Sequence, residues 1–180
     1  LRDHILQQRY QDVALVGHSL GGAIAQLYGL RCGEEIRALV LIGTGARLRV
    51  LPALLSALRG MLTDRVAWRE YVADIYRRVG DEVRQVAIDA RTKIGPEVML
   101  NDLLCCDRFD IMDKVHTIKL PTLVICGGED ELTPVKYTHY LASKIGGASE
   151  VIISGAHHWV HLEKPTEVNH AIEGFLAGLS

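Results

Sequence analysis

Short apolar runs alternate along the chain with longer segments in which apolar residues recur at helical spacing. Four such runs lie at 13–16, 37–43, 123–126 and 150–154. Short apolar runs of this kind are typical of strands buried in a parallel sheet. By contrast, the C-terminal segment of the chain, after these four runs, repeats its apolar residues at the spacing of one helix face. The pattern therefore predicts an α/β protein with about four mainly parallel strands flanked by helices.

A long segment between the second and third predicted strands contains no strand pattern. Its apolar residues repeat at helical spacing in three successive stripes, at 51–62, 68–79 and 83–90. We expect a helical insertion at 49–112 that caps a core formed by 1–48 and 113–180. The side chains that we consider as candidates for lining a pocket there are those of Trp68, Tyr71, Tyr76 and Met99.

Composition excludes several classes of function. The 180 residues are 48% hydrophobic with a net charge of −2, which fits one domain with a small insert. The absence of a basic cluster argues against nucleic acid as a partner, and no apolar run approaches the ~20 residues that span a bilayer. The four cysteines show no metal-ligand spacing, so we expect reduced core thiols in a cytoplasmic protein, with no metal or cofactor.

The sequence Gly17-His18-Ser19-Leu20-Gly21-Gly22 lies between the first predicted strand and a helix-forming segment. A serine on a sharp strand-to-helix turn is the arrangement of a nucleophile elbow. Gly17 and Gly21 are expected to leave room where side chains would clash across that turn. The alternative is a loop serine between glycines with no catalytic role.

A nucleophile elbow requires an acid and then a histidine further along the chain. Asp130 follows the third predicted strand, at the sheet edge where ligands bind in open α/β sheets. Its neighbours Glu129 and Glu131 are rivals for the same role. Thr133 and Pro134 then predict the start of a helix, with the threonine as its N-cap.

The histidine candidates lie in the loop that follows the fourth predicted strand. His157, His158 and His161 fall within five positions, and composition does not choose among them. The other histidines outside the elbow have no motif around them and are expected at the surface: His4, His116, His139 and His170.

This histidine loop resembles the end of an α/β-hydrolase, in which a Gly-His pair precedes an apolar residue and then an acidic residue and proline. The resemblance places His158 on the catalytic position. His157 stands where that pattern usually has glycine, so it remains a minor alternative, while His161 is expected to pack or to cap the next helix. The resemblance also gives His18 a supporting role rather than a catalytic one.

The resemblance implies a Ser-His-Asp triad. A serine hydroxyl needs an adjacent base, so His158 would take the Ser19 proton and return it to the leaving group. Asp130 would hold the imidazole in the required tautomer. The backbone N–H of Leu20 would donate to the oxyanion, and a second donor normally comes from a loop upstream of the elbow.

Only 12 residues precede the first predicted strand, whereas the family usually has four strands before its elbow. We therefore expect this chain to correspond to the C-terminal part of the fold. The strand at 13–16 would then be an exposed edge that pairs with a second copy or with an N-terminal segment.

The expected function is hydrolysis of a carboxylic ester or related acyl bond of a small molecule through an acyl-enzyme. Haloperoxidase-like activity, C–C bond hydrolysis and amide hydrolysis use the same triad and remain alternatives. The non-enzymatic alternative is an inactive fragment that acts as an assembly module.

Overall fold

The computed structural model describes residues 1–179 of the chain. Its centre is a four-stranded sheet in the order β1-β2-β3-β4, and each neighbouring pair is parallel. The strands are β1 Ala14–His18, β2 Ala38–Ile42, β3 Thr122–Gly127 and β4 Ser149–Ile153. The predicted parallel α/β sheet is confirmed.

Helices cover both faces of this sheet. They are α1 Arg2–Gln8, α2 Leu20–Cys32, α7 Val135–Lys144, α8 Val160–Glu163 and α9 Pro165–Ala177. Successive side chains of β2 point to opposite faces. Leu39 and Leu41 belong to the apolar layer formed with α2 and α7, while Val40 and Ile42 pack in the layer formed with α8 and α9. This burial on two faces explains why the strands are continuous apolar runs.

Four helices lie between β2 and β3. They are α3 Pro52–Met61, α4 Arg65–Ile75, α5 Asp81–Ile94 and α6 Pro96–Arg108. The chain enters and leaves this insertion through an antiparallel bridge between Arg47 and Asp110. The three apolar stripes did not distinguish α6, which begins where Gly95, at φ 92°, breaks the preceding helix.

The insertion has an apolar core of its own. Trp68 and Tyr76 are 1% and 4% exposed and pack around Leu58 and Val72. Trp68 and Tyr76 therefore do not line an open pocket among the described residues, because both side chains are buried in this cluster. Trp159 and Leu162 of the histidine loop pack against the same cluster, so the insertion lies beside that loop.

Strand β1 lies at an open edge of the sheet. Among residues 1–179 its only strand partner is β2. Every residue of β2 and β3 is buried, whereas Val16 in β1 is 54% exposed. An exposed apolar edge presents unpaired backbone groups to another chain.

We propose that this edge pairs with another strand, supplied by a second copy or by a preceding segment of a longer chain. The 180-residue polypeptide is expected to associate at micromolar concentration in light scattering. Val16→Lys places a charge on the edge and should reduce that association. A wild-type chain that stays monomeric would contradict the proposal.

Candidate active site

Ser19 occupies the turn between β1 and α2 with an unusual backbone. Its φ of 53° and ψ of −116° lie outside the regions that non-glycine residues normally adopt. The Ser19 N–H donates to the carbonyl of Ile42 at 2.9 Å, which ties the turn to the end of β2. Its side chain makes no capping hydrogen bond to α2, so the hydroxyl is not engaged by its own helix.

The glycines around Ser19 are not equivalent. A Cβ on Gly17 would lie 2.3 Å from the carbonyl oxygen of Gly21, and one on Gly22 would lie 2.6 Å from Cγ2 of Thr44. A Cβ on Gly21 would meet none of the described residues within 4 Å. The turn therefore requires glycine at position 17, as expected, but not at position 21. It also requires glycine at position 22, which was not expected from the sequence.

Asp130 is buried at the carboxyl end of β3 and accepts four hydrogen bonds. Its Oδ1 accepts from the amides of Leu132 and Thr133 at 2.9 and 2.8 Å. Its Oδ2 accepts from the Thr133 hydroxyl at 2.7 Å and from Nδ1 of His158 at 2.9 Å. Glu129 and Glu131 are exposed, so of the three acids the structure brings Asp130 to the histidine.

The position of Thr133 corrects the expected N-cap. Helix α7 begins at Val135 with Pro134 as its N-cap residue. The Thr133 hydroxyl donates to Asp130 instead of capping the helix. This role depends on the folded turn, and the threonine-proline pair alone did not indicate it.

The surroundings of Asp130 favour its ionised form. Burial is the largest influence and by itself would raise the pKa. The hydrogen bond and charge of His158, together with the donors of Thr133, outweigh burial and lower the pKa of Asp130 below its ordinary value. Asp130 is therefore a carboxylate that orients the Nδ1–H of His158.

Contacts on three backbone groups fix the loop that carries His158. Glu163, whose side chain is 5% exposed, accepts from the amides of His157 and Trp159 at 2.9 and 3.2 Å. His18 Nε2 donates to the carbonyl of His158 at 2.8 Å. In the sequence Glu163 is only the acidic position of the histidine-loop pattern, and its contacts with the two amides are not apparent there.

His18 is a neutral imidazole within this group. Burial, followed by the charges of His158 and His161, lowers the pKa of His18 well below its ordinary value. The same influences, burial first and then His158, lower the pKa of His161. A neutral His18 with its proton on Nε2 matches its hydrogen bond to the His158 carbonyl.

The alternative histidines have other partners. His157 Nε2 lies 3.3 Å from Glu129 and its Nδ1 lies 3.4 Å from Glu163. The His161 ring packs 4.4 Å from the ring of His18. The histidines without a motif, His4, His116, His139 and His170, are exposed as expected.

The groups converge beyond the carboxyl ends of the central strands. A Cβ added to Gly43, just after β2, would lie 3.4 Å from Oδ2 of Asp130, the carbonyl of His158 and Cδ2 of His18. Helix α2 begins at Leu20, where backbone N–H groups have no acceptor within the helix. Within residues 1–179 no hydrogen bond joins Ser19 to His158; apo sites often tighten such contacts only with substrate.

Neither a metal centre nor a membrane span is found in the described part of the chain. Among residues 1–179 no three His, Cys, Asp or Glu side chains are grouped to hold a metal ion. No helix within that range is both long and apolar enough to cross a bilayer. The site places an oriented histidine, on the loop after β4, at the same edge of the sheet as a serine hydroxyl and the first N–H groups of α2, on the turn after β1.

Comparison with known proteins gives the family of the chain. The model of a family described as "Alpha/beta hydrolase family" matches residues 1–171. Esterase YbfF of Escherichia coli is 25% identical over 182 residues, which cover 98% of this chain and 72% of the relative. The 2-hydroxy-6-oxo-6-phenylhexa-2,4-dienoate hydrolase of Comamonas testosteroni is 27% identical over 181 residues, covering 90% of this chain.

The chain is also similar to a solved structure of a thermophilic esterase. The two are 38% identical with a TM-score of 0.81, and the match covers 98% of this chain and 70% of the esterase. The chain spans 62% of the length of the Comamonas relative. Both comparisons therefore concern longer proteins.

The glycine contacts predict that alanine at position 17 lowers the unfolding free energy and that alanine at position 21 does not. Gly17→Ala drives a Cβ into the backbone of α2 and should cost about 1–3 kcal/mol of unfolding free energy. Gly21→Ala meets open space in a helix and should be neutral, or stabilising by roughly 0.5–1 kcal/mol. Urea unfolding of the 180-residue chain measures both, and equal effects would contradict the contacts.

The lowered pKa values of His18 and His161 predict a loss of stability in mild acid. In the unfolded chain each imidazole takes a proton as the pH falls through its ordinary value of 6.5, while in the folded chain it resists until lower pH. The unfolding free energy should therefore start to fall as the pH drops through about 6.5 and go on falling until the lower folded-state pKa is reached. His18→Gln keeps a donor without a titrating group and should show a smaller decrease; identical decreases would contradict this.

Proposed function

We propose that this chain, which belongs to the alpha/beta hydrolase family, carries the nucleophile, base and acid of a serine hydrolase. The bond it cleaves is a carboxylic ester or related acyl bond of a small molecule. The observation that carries the proposal is the 2.9 Å hydrogen bond between Asp130 and His158. It lies at the same sheet edge as Ser19, which sits at the strained turn before α2.

In the proposed mechanism, Ser19 attacks the acyl carbon while Nε2 of His158 takes its proton. Because Nδ1 is bonded to Asp130, the neutral imidazole presents Nε2 as the acceptor, and the carboxylate stabilises the imidazolium that forms. His158 then protonates the leaving alcohol. Water attacks the resulting acyl-enzyme with His158 again as base.

The tetrahedral intermediate carries a negative oxygen that needs preorganised donors. We assign one donor to the backbone N–H of Leu20, at the first position of α2. A helix N-terminus also favours negative charge nearby. A second donor is proposed to come from another segment, upstream in a longer chain or in a partner.

An ester is the favoured substrate because the thermophilic esterase is 38% identical to this chain. Hydrolysis of a C–C bond is the second candidate, favoured by the similarity to the Comamonas hydrolase. Both reactions use the same three residues, so these residues do not distinguish them. Measuring the hydrolysis rates of an ester and of a vinylogous diketone does. Haloperoxidase-like activity, amide hydrolysis and an inactive assembly module rank below these two.

We also propose a cytoplasmic location for the protein. The four cysteines are unpaired, which is typical of proteins in a reducing compartment. The expectation that all are core thiols is wrong for Cys105, which is exposed. Burial raises the pKa of Cys106 to about 11, so that thiol is unreactive at neutral pH.

Ser19→Ala is expected to abolish both p-nitrophenyl ester hydrolysis and labelling by a fluorophosphonate, because no other side chain takes the place of the hydroxyl. Ser56→Ala, at an exposed position on α3, is the matched control and should label normally. Mass spectrometry of the labelled protein identifies the modified residue. Labelling that persists in Ser19→Ala would overturn the assignment, and a wild-type chain that neither labels nor turns over would favour the assembly module.

A further inference from the structure

We propose that Thr44 is a positioning residue for the oxyanion donor. It acts on the peptide unit that joins Ser19 to Leu20 and does not touch the substrate. The inference rests on the proposed function, because it assigns a purpose to the Leu20 N–H only if Ser19 is the nucleophile. Thr44 follows β2, and the sequence analysis gave it no role.

The Thr44 side chain is fully buried and its hydroxyl donates to the carbonyl oxygen of Ser19 at 2.9 Å. That carbonyl belongs to the same peptide plane as the N–H of Leu20. No peptide bond among residues 1–179 is cis, and in a trans peptide the C=O and N–H point in opposite directions. Holding the Ser19 carbonyl inward therefore aims the Leu20 N–H outward.

The backbone of Ser19 explains why this peptide needs a third contact. Its carbonyl also accepts from the amides of Gly22 and Ala23 at 3.0 and 3.2 Å, the first bonds of α2. Those bonds orient the peptide relative to α2, but they do not tie it to the sheet, and the φ and ψ of Ser19 are sparsely populated. The Thr44 hydroxyl comes from a different element and opposes relaxation of the turn.

Thr44 is itself held on two sides. Its Cγ2 occupies the space beside Gly22, where an added Cβ would approach to 2.6 Å. The buried Gln26 donates to the carbonyls of Gly22 and Gly45, each at 3.1 Å. The segment after β2 and the first turn of α2 therefore form one braced unit around the Ser19 carbonyl.

The hydrogen bond also affects the strength of the donor. In a buried site, hydrogen bonds in a chain polarise one another. A carbonyl that accepts from Thr44 makes the N–H of the same peptide a better donor. Both direction and polarisation matter most when the oxyanion has formed, so the contribution should appear in kcat rather than in KM.

Thr44→Val removes the hydroxyl and keeps the shape, and it should lower kcat about tenfold with KM unchanged. This loss is smaller than the ~10²–10³-fold cost of removing an oxyanion donor. The affinity for an alkylboronic acid, which forms a tetrahedral adduct on the serine, should fall by the same factor. Thr44→Ser keeps the hydroxyl and should restore most of both.

Thr122→Val is the matched control. Thr122 is also fully buried and donates to a backbone carbonyl, that of Leu120, at 2.8 Å. It lies at the opposite end of the sheet, at the start of β3. A structural effect alone would lower the melting temperature of both variants and change kcat in neither.

If the isolated chain has no activity, the role of Thr44 can still be tested by NMR, which does not require turnover. The NMR resonances of the Ser19 carbonyl carbon and the Leu20 amide should move in Thr44→Val and stay close to wild type in Thr44→Ser. Where Thr44→Val does not fold, Thr44→Ala removes the same hydroxyl. Unmoved resonances, an unchanged kcat or a change confined to KM would each overturn the role of Thr44. Activity that survives Ser19→Ala would instead overturn the proposed function.

Discussion

The left-handed backbone at Ser19 is the constraint on which the rest of the site depends. With φ at 53° the chain reverses within one residue from the end of β1 into α2. So sharp a reversal brings the Gly21 carbonyl within 2.3 Å of any Cβ at position 17. It also turns the Ser19 carbonyl inward onto Thr44. The need for glycine at position 17 and the contact with Thr44 both follow from this one strained turn.

Two buried carboxylates hold the loop of His158 in place, and each accepts more than one hydrogen bond. Asp130 accepts from three groups in its own turn besides His158, and Glu163 accepts from the amides on either side of His158. A buried polar group that loses its partner costs roughly 1–3 kcal/mol. Moving the loop would break these hydrogen bonds, which opposes any swing of His158 away from its position.

The strands and the identity of Ser19, Asp130 and His158 as candidates follow from local pattern, since each depends on a few neighbouring residues. The contacts that join them do not. The hydrogen bond from His18 to the carbonyl of His158 spans 140 positions in the chain, and no periodicity encodes it. Helix α6 was not recognised as a separate element, although Gly95 and Pro96 mark its start. Thr133 was misassigned because α7 begins one residue later than expected, with Pro134 at the N-cap, and the Thr133 hydroxyl donates to Asp130 in the preceding turn.

Residue type alone does not decide which acid and which histidine form the catalytic pair. Glu129 and Asp130 face His157 and His158, so that two acid–imidazole contacts lie side by side between the same loops, at 3.3 and 2.9 Å. The residue types are nearly the same in both pairs. The Glu129 side chain is 61% exposed, whereas that of Asp130 is fully buried. Water weakens the outer contact, and the drier surroundings of the inner one make its charge effective. Environment rather than residue type therefore distinguishes the pair that can orient a catalytic base from the pair that only joins two loops.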